Sequence, residues 1–276
     1  MKTEKVVFIR YPGGKQRFLD YLNPFLPSTE LIKGRFIEPF LGSGAVFFAL
    51  NPKCALLSDI NQELIDLYRG IRLYPSKVWE IYKNFPRDKK SYYEIRSMRV
   101  EKMDLAYKAA KTLYLNRTCF KGMWRHNSNG EFNVGYGGQD RRWVINKDLL
   151  KEVSNRLKNA ILKCTDFENI IDESIKGDFI FVDPPYKPGE RELLHSHYLY
   201  GKFSYSDYQR LANVLKRASN KGVTWAMTIS SHPDILDLFP KTNVFPMPVG
   251  TGKKPGILTS RSGEVLICNY YPEVMR

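Results

Sequence analysis

Asp183-Pro184-Pro185-Tyr186 puts a carboxylate, a stiffened backbone and an aromatic ring in four consecutive positions. The two prolines fix successive φ angles and remove two N–H donors, so the carbonyls beside them point in set directions. A carboxylate, a rigid carbonyl and a ring together can hold a planar group carrying an –NH2 substituent, and adenine and cytosine both qualify. By themselves these residues also read as a strand followed by a proline turn with a solvated Asp.

The apolar run that ends at Asp183 is short and bounded by Gly177 and the prolines, as expected of a buried strand. Other segments repeat the pattern of a strand closing on a polar turn. Tyr11-Pro12-Gly13-Gly14-Lys15 is a tight turn with a cation, and its glycine spacing is wrong for a Walker A loop. A helix is expected over about 16–26, with Phe18, Leu19, Leu22 and Phe25 on one face. Arg35-Phe-Ile-Glu38 reads as a strand, Gly42-Ser43-Gly44 as a turn where a ligand can approach the backbone, and Ser43 as a cap for a helix over 45–50. A second strand over 54–58 ends at Asp59, which in a doubly wound sheet is placed to accept from ribose hydroxyls. Equally, Asp59 could cap a helix over 62–72.

From 71 to about 157 the alternation gives way to helical patterns over 76–85, 91–100 and 105–116. Aromatic and basic residues then interleave from Arg117 to Val134, where Asn129-Gly130 signals a two-residue hairpin turn. A basic hairpin suits a DNA groove, since Arg can fork onto guanine and a ring can wedge between bases. An ordinary surface hairpin explains the same residues. The sheet resumes with strands over 160–164, 223–229, 244–248 and 263–271 and a helix over 206–219 capped by Ser206 or Asp207. Residues 187–202 and 250–256 read as a polar loop and a mobile basic loop.

The 276 residues carry 43 Lys+Arg against 29 Asp+Glu, a net charge of +14. That excess points to a polyanionic partner. No apolar stretch approaches the ~18 residues of a membrane span, and the N-terminus does not read as a signal peptide. The four cysteines lack C-x-x-C spacing, which argues against zinc and disulfides and for a cytoplasmic setting. No metal site is expected.

In order, YPGGK at 11–15, EPFLGSG at 38–44, SDIN at 58–61, LYLNR through GEFNV at 113–134, and DPPY at 183–186 resemble the Dam-like, or D12, class of DNA adenine N6-methyltransferases. The resemblance covers nearly the whole chain. It implies an α/β fold: a Rossmann-like S-adenosylmethionine (SAM) domain, 1–70 and 158–276, with an inserted helical target-recognition domain, 71–157, that carries the hairpin. It places the cofactor against Tyr11, Gly14, Lys15, Glu38, Pro39, Phe40, Gly42, Gly44, Asp59, Asp166, Phe167 and Asp183. It assigns catalysis to Asp183, Pro184, Pro185 and Tyr186, and DNA contacts to Arg117, Phe120, Lys121, Arg125, Asn127 and Asn133. Phe120 would be the wedge and Arg125 a guanine reader. Where relatives of the Dam type often carry Asn, this chain has Lys121, and Tyr11 stands where many carry Trp.

The resemblance implies that Asp183 and the Pro184 carbonyl each accept an N6 hydrogen of a flipped adenine stacked on Tyr186. It implies double-stranded DNA as partner, a monomer in solution and a place for a cognate restriction endonuclease. An RNA adenine methyltransferase, a protein glutamine methyltransferase and a catalytically silent DNA-binding relative share much of this pattern. A nicotinamide oxidoreductase is disfavoured by the incomplete G-x-G-x-x-G.

Overall fold

The expected strands pair into one sheet in the computed structural model, which describes residues 6–100, 102–127, 130–138, 144–185, 203–250, 258–259 and 263–272. The strands are β1 (Phe36–Glu38), β2 (Ala55–Asp59), β3 (Ala160–Cys164), β4 (Phe179–Val182), β5 (Thr224–Ser230), β6 (Asn243–Pro246) and β9 (Glu264–Cys268), with β7 (Val249–Gly250) and β8 (Leu258–Thr259) forming a separate antiparallel pair. The seven-stranded order is β3-β2-β1-β4-β5-β9-β6. The first five strands in that order run parallel, and β9 lies antiparallel between β5 and β6. The order reverses between β1 and β4, and a Rossmann-like sheet opens a crevice at such a point, beyond the carboxyl ends of its strands.

Both faces of the central strands are covered, which is why they read as unbroken apolar runs. The pleat sends alternate residues to opposite sides. Phe36, Leu57, Phe179 and Phe181 join one core cluster, whereas Ile37, Leu56, Ile180 and Val182 join the other. The helices are α1 (Leu19–Leu22), α2 (Ala45–Leu50), α3 (Gln62–Leu73), α4 (Pro75–Asn84), α5 (Lys89–Ser97), α6 (Leu105–Thr118), α7 (Lys147–Arg156), α8 (Phe167–Asp172), α9 (Tyr205–Asn220) and α10 (Pro233–Leu236). Residues of α4, α5 and α6 belong to the same cluster as Phe36 and Phe179, so this helical stretch and the sheet share one core.

Helix α6 is buried nearly all round. A Cβ built on Gly70 of α3 would lie 2.5 Å from the Ala109 Cβ, so the two helix backbones meet where neither carries bulk. The polar side chains of α6 satisfy backbone groups elsewhere. Lys111 donates to the Met98 carbonyl. Asn116 donates to Arg10 O at 2.6 Å and accepts from Arg10 N at 2.9 Å. Arg117 Nε donates to Phe8 O at 3.0 Å. Helix α6 therefore clamps the segment that leads into Tyr11–Lys15. Arg117, expected as a DNA contact, is only 4% exposed and is engaged with this strap. A buried guanidinium needs acceptors, and the Phe8 and Val7 carbonyls take two of its N–H groups.

Several local expectations give way. The helix expected over 16–26 breaks into 3-10 turns at Lys15–Arg17 and Asn23–Phe25 on either side of the single turn α1. Pro24 lacks an N–H and cannot continue an α-helical ladder. Gly44, in the left-handed conformation with φ +63°, takes the N-cap of α2 in place of Ser43. Ser204, not Ser206 or Asp207, caps α9, and Asp207 completes the capping box from its third position. Asn61 caps α3, which leaves Asp59 to other work. Helices α7 and α8 were not singled out in the sequence. Residues 186–202, with the first expected loop, and 251–257, with all of the second but Gly250 of β7, lie outside the described residues.

Candidate active site

The carboxyl ends of β1, β2 and β4 deliver Glu38, Asp59 and Asp183 to one cleft. The 3-10 turn at Lys15 brings a buried cation to it. Lys15 Nζ lies 2.8 Å from Asp183 Oδ1 and donates to Gly13 O at 3.1 Å. Thr228 Oγ1, from β5, donates to the same Asp183 oxygen at 2.7 Å. Tyr208 OH, from α9, donates to the Pro185 carbonyl at 2.7 Å, which pins the second proline of the turn.

At β2, Asp59 accepts from Gly42 N and from Asn61 N, each at 3.0 Å. Gly42 has φ +46°, and a Cβ there would lie 3.1 Å from the Tyr11 ring. Glycine is needed on both counts. Asp166, the N-cap of α8, accepts from Glu168 N at 2.9 Å and from Arg210 Nη2 at 2.7 Å. Phe167 stacks on Phe40 at 5.2 Å, and the Arg210 guanidinium lies 4.8 Å from its ring centre.

Of the expected cofactor residues, Tyr11, Gly14, Lys15, Glu38, Pro39, Phe40, Gly42, Asp59, Asp166, Phe167 and Asp183 line this one cleft, together with Pro184 and Pro185. Gly44 is not among the lining residues. It sits against Phe48, where a Cβ would approach a ring carbon to 3.0 Å, so it serves packing and the α2 cap. Tyr186 lies outside the described residues. Asn61, Trp124, Phe203 and Asp207 also line the cleft, and sequence reasoning did not select them. A signal existed for Thr228, a lone polar residue inside the apolar run of β5.

The lining holds five carboxyls, from Glu38, Asp59, Asp166, Asp183 and Asp207, against one lysine, in a protein of net charge +14. Burial, then the neighbouring Asp183 charge, holds the Glu38 carboxyl well above its usual range, against the opposing hydrogen bond from Phe47 N. Burial likewise raises Asp59, opposed by the amides of Gly42 and Asn61. A group raised in the fold stabilises it fully below its unfolded value of about 4.5, and that contribution is lost as pH rises through the folded value. Stability should therefore decline upward from about pH 4.5. Glu38→Gln, which resembles the protonated form, should flatten this decline in melting temperature between pH 5 and pH 9. An unchanged slope would show that Glu38 ionises freely in the fold.

A SAM-type cofactor fits the cleft on this structure's own terms. The carboxyls suit a ligand that carries cationic groups. The Gly42 backbone leaves space that a side chain would fill. Two buried donors on the lining, Asn61 Nδ2 and Trp124 Nε1, have no partner among the described residues and await acceptors.

Beside the cleft, the described residues of 119–138 pair antiparallel as a hairpin requires, with Asn129 of the expected turn outside the described residues. His126 bridges Phe132, and Gly130 N donates to Asn127 O at 3.0 Å. Gly130 has φ +77°, in the left-handed region that glycine adopts without strain. Asn127 also bonds both the Glu131 side chain and its amide, each at 2.9 Å. Phe120 is 48% exposed, with Lys121 Nζ 5.2 Å from its ring centre. Arg125 is exposed and donates through Nε to Asn133 Oδ1 at 2.8 Å. His126 Nε2 lies 2.9 Å from Glu63 Oε2 on α3, tying the hairpin to the helix that follows Asp59.

The family model for the D12 class N6 adenine-specific DNA methyltransferase matches residues 11–247. The chain is 33% identical over 274 residues to the type II methyltransferase M1.LlaDCHI of Lactococcus lactis subsp. cremoris, covering 95% of each. It is 31% identical to the type II methyltransferase M.MjaIII of Methanocaldococcus jannaschii, covering 83% of this chain and 86% of that one. It is also 31% identical to the DNA adenine methylase of Haemophilus influenzae, covering 82% and 79%.

Proposed function

Because this chain belongs to the D12 class of N6 adenine-specific DNA methyltransferases, we propose that its catalytic centre is the Asp183-Pro184-Pro185 end of β4 and that the adjoining cleft binds SAM. The protein is a site-specific DNA methyltransferase acting on adenine. The observation that carries the assignment of the centre is the Asp183 carboxylate, held on Oδ1 by Lys15 and Thr228 at the carboxyl end of the central strand.

SAM, when bound, supplies an electrophilic methyl group on a sulfonium. Tyr11, Gly14 and Lys15 would hold its methionyl end, Glu38-Pro39-Phe40 and Gly42 would form the cradle, Asp59 would accept from the ribose hydroxyls, and Asp166 and Phe167 would meet the adenine ring. The N6 lone pair of a target adenine is delocalised into its ring and is a poor nucleophile. Asp183 and the Pro184 carbonyl each accept one N6 hydrogen, which turns the lone pair out of the ring plane and toward the methyl donor. Positioning and preorganised acceptors are the source of acceleration. The Tyr208 bond to the Pro185 carbonyl holds the turn so that the Pro184 carbonyl keeps its direction.

A base inside a duplex cannot reach this position, so the adenine flips out at a cost of a few kcal/mol. Residues 71–157 act as the target-recognition domain. Phe120 wedges into the stack, Lys121 and the general excess of Lys/Arg neutralise phosphates, and Arg125, braced by Asn133, reads a guanine. The protein acts as a monomer in the cytoplasm, with a cognate restriction endonuclease as the partner that such protection of a site serves.

Substrates altered one base at a time test this reading. The wild type should methylate adenine within one short sequence, and Arg125→Ala should lower the discrimination at a single guanine position by roughly 10–100-fold, in line with the ~1–3 kcal/mol of a forked base contact. Unchanged discrimination at every position would remove Arg125 from the reading surface.

A further inference from the structure

Among the described residues of the segment 119–138, Trp124 alone lines the cleft. Its indole is 3% exposed, and its ring centre lies 5.5 Å from that of Tyr11, which opens the turn carrying Lys15. Its Nε1–H is buried and has no partner among the described residues. A buried tryptophan N–H ordinarily finds an acceptor. Indole can only donate, so what is missing is an oxygen, and it must come from whatever the cleft holds. On the Tyr11 and Lys15 side the matching group of a SAM-type ligand is its carboxylate, which accepts several donors at once and makes strong charge-assisted bonds.

We propose that Trp124 is a cofactor-binding residue whose Nε1–H donates to the carboxylate of the cofactor's methionyl group. The proposal rests on the reading of this cleft as the SAM site. It has a consequence for the architecture. Trp124 lies between Gly122, where a Cβ would run into the Arg10 guanidinium, and Arg125 on the hairpin. The segment that carries the DNA-reading residues thus also contributes a donor to the cofactor, and cofactor occupancy fixes one end of it.

The test is calorimetric and needs no turnover. S-adenosylhomocysteine, which carries the carboxylate, and methylthioadenosine, which lacks it, are titrated into the wild type and into Trp124→Phe, which keeps a ring and loses the N–H. The variant should bind S-adenosylhomocysteine about tenfold more weakly, as expected for one hydrogen bond to a charged group. It should bind methylthioadenosine within twofold of the wild type. Equal affinity of variant and wild type for S-adenosylhomocysteine overturns the proposal, as does an equal loss for both ligands, which would mean a general distortion of the cleft. Failure of the wild type to bind S-adenosylhomocysteine would instead overturn the cofactor reading itself. Should Trp124→Phe not fold, benzothienylalanine at position 124 preserves the bicyclic shape without the N–H and reads the same comparison.

Discussion

Asp183→Asn should lower the single-turnover rate of adenine methylation by about 10³-fold or more while leaving the fold close to that of the wild type. The substitution keeps the volume. Lys15 and Thr228 both donate to Oδ1, so an amide would keep its oxygen toward them and put –NH2 in the place of Oδ2. A donor then faces the N6 amino group where the reaction needs an acceptor. Loss of one preorganised electrostatic contact in an active site is worth about 10²–10³-fold, and the reversed polarity adds a clash between two donors. Asp183→Ala is a poorer probe, since it leaves the 3%-exposed Lys15 facing a hole. Near wild-type methylation by Asp183→Asn, measured in rapid-quench experiments with labelled cofactor, would end the proposal that this carboxylate accepts an N6 hydrogen.

Lys15→Met should act on both stability and rate. The side chain is similar in length but has no charge, and it leaves the Asp183 carboxylate without its cation beside Glu38, which already feels the Asp183 charge. Removing one member of a buried pair costs about 3–5 kcal/mol. Asp183 is 19% exposed in its side chain, so water takes up part of the charge and roughly 2–3 kcal/mol is the reasonable figure here. Urea denaturation reads it directly. The methylation rate should fall by roughly 10²-fold, because the acceptor oxygen is no longer held from one side. A variant within 1 kcal/mol of the wild type and with an unchanged rate would show that Lys15 does not hold Asp183.

Much of the site is local and therefore legible in the chain. Phe179–Val182 is buried on both faces and so reads as an unbroken apolar run, and the polar residue that ends it must sit at the sheet's edge. The same reasoning located Glu38 and Asp59. Turn chemistry was harder. Whether Ser43 or Gly44 caps α2 depends on the left-handed backbone that the Leu41–Gly44 turn adopts, and a serine pattern does not reveal it. Asn129-Gly130 signalled a hairpin in the right place, and Gly130 does carry a left-handed backbone, whereas Asn129 lies outside the described residues.

The sequence by itself determined the strand runs, the acidic residues at their carboxyl ends and the place of the hairpin, because each depends on neighbours a few positions away. Only the tertiary structure decided that Arg117 faces inward onto the Phe8 carbonyl, that Trp124 reaches the cleft, and that Lys15 and Thr228 converge on one oxygen of Asp183. Those outcomes depend on which distant elements share a buried volume. There a charge or an N–H must find a partner or carry the cost of desolvation, and local pattern carries no record of where that partner lies.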